Sequence, residues 1–388
     1  MFNKDNIQPG RVIVALNTTL DSLESVDDIL SGIEYKKVEL IFPCKGEEYP
    51  IRDILLVCLG CQEISTVIST TQKLSDNRHV TYAEPNFLFG RHKIPNDPYY
   101  NQLWGLAKIS APQAWDYATG DTDVIVGVVD SGIDHTHPDI SANMWSYADG
   151  YYGWNFINDN SESMDTAGHG THVAGIIGAV GNNAIGITGV CWKIKLAALR
   201  IGNKAFSLDA AIRAIDFANV NRISILNNSW GGRYDSPSLK HAIENYDGLF
   251  IASAGNHGVD SDITPDYPAA YDNENIISVA ATDPNDALAS FSNYGAISVD
   301  IAAPGANILS LALNGEYSSD EGTSMSTPYV TGAAALLMSY KPDLTRLEIK
   351  NIILSSVDKY PQLADKISSG GVLNMFKAIQ QANTIAQK

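Results

Sequence analysis

The chain has 388 residues, 45% hydrophobic and 18% charged, which suits one large globular domain plus a smaller one and excludes a disordered chain. Its 26 Lys and Arg stand against 44 Asp and Glu, a formal charge of -18, which argues against nucleic acid as a partner. No apolar run is long enough to span a bilayer.

In chain order, the start MFNKDNIQPG lacks a basic segment followed by an apolar one, so no secretory leader is expected. The protein then stays in the cytoplasm, leaves by another route, or is secreted after losing a leader. Residues 1–94 carry 10 Lys and Arg against 13 Asp and Glu, and the remainder carries 16 against 31, so the acidity belongs to the larger part. Strands are predicted at Arg11–Leu16, Lys37–Phe42, Asp53–Leu59 and His79–Ala83, and helices at Leu23–Leu30 and Glu63–Leu74. That βαββαβ order suits a small split βαβ domain. Cys44, Cys58, Cys61 and Cys191 are too few and too scattered for an extracellular disulfide framework. Cys58 and Cys61 form a lone CxxC, read as ordinary buried thiols ahead of a redox pair or a zinc site.

Arg91–Pro98, polar and holding two prolines, reads as a linker. Beyond it, strand-like runs at Val124–Val129, Ile223–Leu226, Leu249–Ser253 and Ile276–Ala280 alternate with helical stretches at 169–180, 207–220 and 324–340. Such alternation predicts an α/β fold, an open parallel sheet with helices on both faces, preceded by the small α+β unit.

Three segments carry chemistry. Val126–Asp134 is an apolar strand ending in Asp130 and a glycine turn, placed where ligands gather in parallel sheets. Gly168-His-Gly-Thr-His172 opens a helix of small residues at His169. His172 is read as structural, since no HExxH pattern or nearby acid supports a metal. Gly322-Thr-Ser324-Met-Ser-Thr-Pro328 opens a further helix, with Pro328 expected in its first turn. Each segment alone reads more simply as a turn, a structural histidine or an N-cap. Together they set out Asp, His and Ser at intervals of 39 and 155 residues. The strand Phe250–Ser253, followed by Ala254-Gly255-Asn256, adds an amide. Acyl transfer by serine needs a hydroxyl, a base, an orienting carboxylate and an oxyanion donor, and these segments supply one candidate for each.

VVDSGID, HGTHVAG, ASAGN and GTSMSTP, with Asn228-Ser-Trp-Gly-Gly232, Phe291-Ser-Asn-Tyr-Gly295 and Ala303-Pro-Gly305, resemble the subtilisin family of serine proteases. The resemblance runs from about Asn96 to about Phe376. Where the family often has Ala-Ser after the nucleophile's methionine, this chain has Ser326-Thr327. The resemblance implies a serine endopeptidase fold and an Asp130–His169–Ser324 triad with Asn256 as oxyanion donor. It also implies a peptide cleft lined by Ser229, Trp230, Gly231, Ser253, Ala254 and Gly255. Asp266, before Tyr267-Pro268, stands where the family commonly has glycine at the pocket floor. It reads either as a selector of basic P1 residues or as a solvated loop carboxylate. His79-Val-Thr-Tyr-Ala-Glu-Pro-Asn86 resembles the end of an I9-type propeptide, which implies an inhibitory pro-region over 1–93, a peptidase domain over 94–388, and a self-processing zymogen cut after Arg91 or Lys93. Structural calcium (Ca2+) is implied at Asp97, Asp139 and Asn183 with the carbonyls of Ile185 and Ile187. The expected partners are peptide substrates and the chain's own propeptide in cis. Two rivals stay open: a catalytically silent scaffold, and a cyclase or ligase using the same triad.

Overall fold

The computed structural model describes residues 7–20, 26–43, 51–88, 92–147 and 150–385. The chain divides into two compact units, Met1–Arg91 and His92–Lys388.

In the first unit, strands Ile7–Leu16, Tyr35–Phe42, Ile54–Leu59 and Val80–Phe87 form an antiparallel sheet ordered second, third, first, fourth. Helices Asp27–Leu30 and Ile64–Ser75 complete the βαββαβ order. Alternation explains the layering. Val12, Val14 and Leu16 are buried while Arg11 and Ile13, flanking Val12, are partly exposed, so one face meets Val67 and Leu74 of the longer helix. The expected buried thiols are corrected: Cys61 is exposed, just past the end of strand Ile54–Leu59, and Cys58 half-buried, both free, while Cys44 lies outside the described residues.

In the second unit, nine strands form one sheet. Its order is Asp358–Lys359, Gly371–Val372, Ile301–Pro304, Ile276–Thr282, Leu249–Ser253, Ile225–Asn228, Gly120–Asp130, Lys193–Arg200 and Gly153–Asn155. All neighbours are parallel except the first pair. Helices cover both faces, so the central strands are buried throughout and read as apolar runs. Val126, Val128, Ile225 and Ile251 point to the face packed by helices His169–Gly178 and Thr323–Tyr340. Val129, Leu226, Phe250 and Ala252 point to the face packed by Leu208–Val220 and Pro237–Glu244. Strand Gly120–Asp130 has the later strand Lys193–Arg200 on one side and Ile225–Asn228 on the other. The strand order reverses there, the position where open α/β sheets bind ligands beyond the carboxyl ends of their strands, and Asp130 is the last residue of this one.

Three local expectations are corrected. Lys193–Arg200 is a strand absent from the expected set, because its lysines and paired alanines blur the apolar pattern. Pro328 is not in the first turn: it is the sixth residue of its helix. The segment expected to be a linker is pinned from His92 onward. Asp116 accepts the Lys93 N–H at 2.8 Å and pairs with the His92 ring at 2.7 Å, Asn96 accepts the Ala184 N–H, and the Tyr99 N–H bonds the Gly186 carbonyl. Prolines and polar residues there mark an extended chain satisfied by side chains, which composition alone does not separate from a free linker.

Candidate active site

Asp130 is fully buried at the end of its strand. Its Oδ1 accepts the Ser131 N–H at 2.7 Å and meets His169 Nδ1 at 2.8 Å. The carboxylate accepts, so Nδ1 carries a hydrogen, and in the neutral ring Nε2 keeps its lone pair. The approach of the two segments is close. A Cβ on Gly170 would stand 2.1 Å from the Gly132 carbonyl oxygen, so only glycine lets the helix begin against the turn. The Gly170 N–H then bonds Ser131 Oγ at 2.9 Å. Asp165 holds the helix start: its carboxylate accepts the N–H groups of Ala167, Gly168 and Thr171 and the Thr171 hydroxyl. Burial disfavours the His169 imidazolium. The charge and hydrogen bond of Asp130, helped by Asp320 and Asp165, outweigh it and raise the pKa to about 9.

Ser324 is the second residue of helix Thr323–Tyr340, with Gly322 as N-cap at φ 148°. Its Oγ donates to the Ser229 carbonyl at 3.0 Å; among the described residues no hydrogen bond joins it to the His169 ring. Asn256 lies just past strand Leu249–Ser253. Its Oδ1 accepts the Thr323 N–H at 2.8 Å and the Thr323 hydroxyl at 2.9 Å, which fixes the amide and turns Nδ2 away from Thr323.

A cleft of about 820 Å³ runs past these groups, lined by Ser324, Asn256, Trp230, Gly231, Ser253, Gly255, Asp266 and Phe206 among others. His169 stands beside it, its ring 6.4 Å from that of Phe206 between centroids. Two residues expected along the cleft, Ser229 and Ala254, are almost fully buried next to residues that line it. Ser229 is spent on Ser324, its Oγ donating to the Ser324 carbonyl and its own carbonyl accepting the Ser324 hydroxyl. Ala254 is tied into the sheet, its N–H to Val279 and its carbonyl to Asn293 Nδ2. Asp266 is 3% exposed. A Cβ on Gly231 would stand 2.6 Å from its Oδ1, and one on Gly255 3.0 Å from its Oδ2, so the carboxyl lies between the two glycine walls of the cleft. Burial pushes its pKa up, while His257 and Arg233 pull it back.

Residues 121–376 match the family model Peptidase_S8, described as the subtilase family. The thermophilic serine proteinase of Bacillus sp. (strain AK1) is 36% identical over 329 residues, covering 83% of this chain and 77% of that protein. Thermitase of Thermoactinomyces vulgaris is 37% identical over 292 residues, covering 74% and 99%. A solved protease structure from Pseudoalteromonas arctica superposes with a TM-score of 0.67 at 28% identity, covering 75% of this chain and all of that one. The chain belongs to the subtilase family. It is a subtilisin-like serine endopeptidase with the family's parallel sheet flanked by helices.

This subtilase also gathers the residues expected to hold a cation. Asp97 accepts the N–H groups of Asn182 and Asn183, and Asp139 accepts Asn183 Nδ2, the Ile187 N–H and the Tyr317 hydroxyl. Ile185 donates its N–H to Asn183 Oδ1. Both carboxyls are buried, and burial pushes both pKa values up. Among the described residues no three His, Cys, Asp or Glu side chains cluster as a metal group, so any cation here would need amide and carbonyl oxygens as well.

His172 is structural, as expected: its Nε2 donates to the carbonyls of Ile308 and Ser318. It thereby ties the hairpin Ile308–Leu311/Tyr317–Asp320 to the His169 helix and brings Asp320 near the imidazole. The expected elements do not include this hairpin. Asn314-Gly315, both at positive φ, is the signal that marks it.

Proposed function

We propose that this subtilase hydrolyses peptide bonds through Asp130, His169 and Ser324, that it prefers Arg or Lys at P1, and that it is made as a self-processing zymogen. The observation that carries the catalytic reading is the 2.8 Å Asp130–His169 bond, which leaves Nε2 as the base beside the cleft that Ser324 lines. In this reading the Ser324 hydroxyl turns from the Ser229 carbonyl to Nε2. His169 takes its proton as Oγ adds to the substrate carbonyl carbon, and Asp130 stabilises the imidazolium. Asn256 Nδ2 and the Ser324 N–H at the helix start donate to the oxyanion. The C–N bond then breaks as the proton passes to the leaving amine. Water attacks the acyl ester by the same route, releasing the acid and restoring Ser324.

The basic preference rests on Asp266, a buried carboxyl between glycine walls that fits a cationic side chain. The zymogen reading rests on the division of the chain at Arg91/His92 and on the cluster Arg91-His92-Lys93. Arg91 itself lies outside the described residues. Asp97, Asp139 and Asn183 would hold calcium, which would neutralise two buried carboxylates and brace the segment after the cut. The test is hydrolysis of peptides differing only at P1. Wild type should favour Arg and Lys, Asp266→Gly should lose that preference, and Ser324→Ala should cut nothing and keep its full length. Preference for Phe or Leu unchanged in Asp266→Gly refutes the specificity, and maturation of Ser324→Ala at the wild-type rate refutes the nucleophile.

A further inference from the structure

One neighbour of the Asp266 carboxyl is itself titratable. His257 Nδ1 stands 3.6 Å from Asp266 Oδ2, and both residues line the cleft. The two differ in access: the His257 side chain is 53% exposed and that of Asp266 4%. The His257 backbone is held, its N–H donating to Asn293 Oδ1 at 3.0 Å, which places the residue at the pocket wall. Asp266 accepts no side-chain hydrogen bond among the described residues, which leaves His257 its nearest cationic group.

We propose that His257 is a specificity-determining residue, an internal cation that competes with the substrate's P1 cation for Asp266. The inference rests on the P1 reading above. With His257 neutral, Asp266 faces the cleft as a carboxylate with no ion-pair partner and selects a guanidinium or ammonium group. With His257 protonated, the carboxylate is paired from within and the pocket is neutral, so a cationic side chain gains little there. The other charged groups of this region are Arg233, which also acts on Asp266, and Lys204 and Asp235 along the same cleft. Of these groups His257 is the one within ion-pair distance of the Asp266 carboxyl, so His257 and Asp266 are the pair whose state changes the pocket. The direction follows: selectivity for a basic P1 residue weakens as pH falls.

The experiment compares kcat/KM for two peptides, one with arginine and one with its neutral isostere citrulline at P1, from about pH 5.5 to about pH 8.5. The ratio cancels the titration of His169, which both substrates share. In wild type the Arg-to-citrulline ratio should fall about fivefold or more toward the acid end, and in His257→Gln it should stay high, within about twofold. His257 pulls the Asp266 pKa down, so protonation of Asp266 would lower the ratio at least as much in His257→Gln as in wild type, and a fall confined to wild type isolates His257. The same pH dependence in wild type and His257→Gln overturns the inference. A ratio near one at every pH, unmoved by Asp266→Asn, instead overturns the P1 reading on which it rests.

Discussion

Oγ of Ser229 donates a 2.8 Å hydrogen bond to the carbonyl of Ser324, the residue four positions before Pro328. A helix would normally satisfy that carbonyl with the N–H at 328, which proline lacks. A serine on a neighbouring strand end supplies the missing donor, and so the first turn of the Ser324 helix is fixed to the sheet.

This pairing predicts a non-additive result. Ser229→Ala should lower stability by about 1–3 kcal/mol, the cost of leaving a buried carbonyl unpaired. In a Pro328→Ala background the new N–H can reach the Ser324 carbonyl, and the same Ser229→Ala change should cost less. The Asn227 amide that bonds Ser229 Oγ is orphaned equally in both backgrounds, so it cancels. Thermal or denaturant unfolding of the four proteins measures the difference, and equal losses would contradict this account of the carbonyl.

Thr323 orients Asn256 through two hydrogen bonds to its Oδ1. Asn256→Ala should reduce kcat by about 10²–10³-fold, the scale for one oxyanion donor in a subtilisin-type site, with little change in KM. Thr323→Val keeps the backbone bond and removes the hydroxyl, so its loss in kcat should be smaller, about tenfold. Steady-state kinetics check both; a rise in KM at unchanged kcat would argue against an oxyanion role.

The raised pKa of His169 has a kinetic sign. A base must be unprotonated, so kcat/KM should rise through neutral pH and level off in the alkaline range. Asp320 is one of the groups that raise this pKa. Asp320→Asn should therefore move the acid limb of the profile to lower pH. An acid limb unmoved in the variant would show that the hairpin does not act on the imidazole.

If calcium occupies the Asp97–Asp139 loop, it binds the folded chain and raises its melting temperature by mass action. Chelator should lower the Tm of wild type by several degrees and of Asp139→Asn much less. Calorimetry with and without chelator decides it, and equal melting curves for wild type would remove calcium from the account.

How much of this is legible in the sequence varies with the range of the interaction. The helices opening at His169 and near Ser324 can be read because their glycines, small residues and apolar runs are local signals. Strand Leu249–Ser253 is placed to the residue for the same reason, since a fully buried parallel strand is a short apolar run. Asp130 and His169 can be named, but their 2.8 Å contact is a product of topology, set by the strand order reversing beside Asp130. The partnership of Ser229 with Ser324 is illegible, because a serine's use of its hydroxyl depends on which carbonyl the fold leaves open. The His257–Asp266 pair is hidden although the residues lie nine positions apart, since nothing local shows that the loop between them folds back to face the cleft. The hairpin after Ile308 carries a local signal in Asn314-Gly315.

The most direct measurement is active-site labelling. The protein is treated with a fluorophosphonate that phosphonylates an activated serine hydroxyl with loss of fluoride, and the adduct is located by peptide mass mapping. The account predicts one label per chain, on Ser324, with labelling slowed by orders of magnitude in His169→Ala. A label on another residue, or equal labelling rates in wild type and His169→Ala, would contradict it.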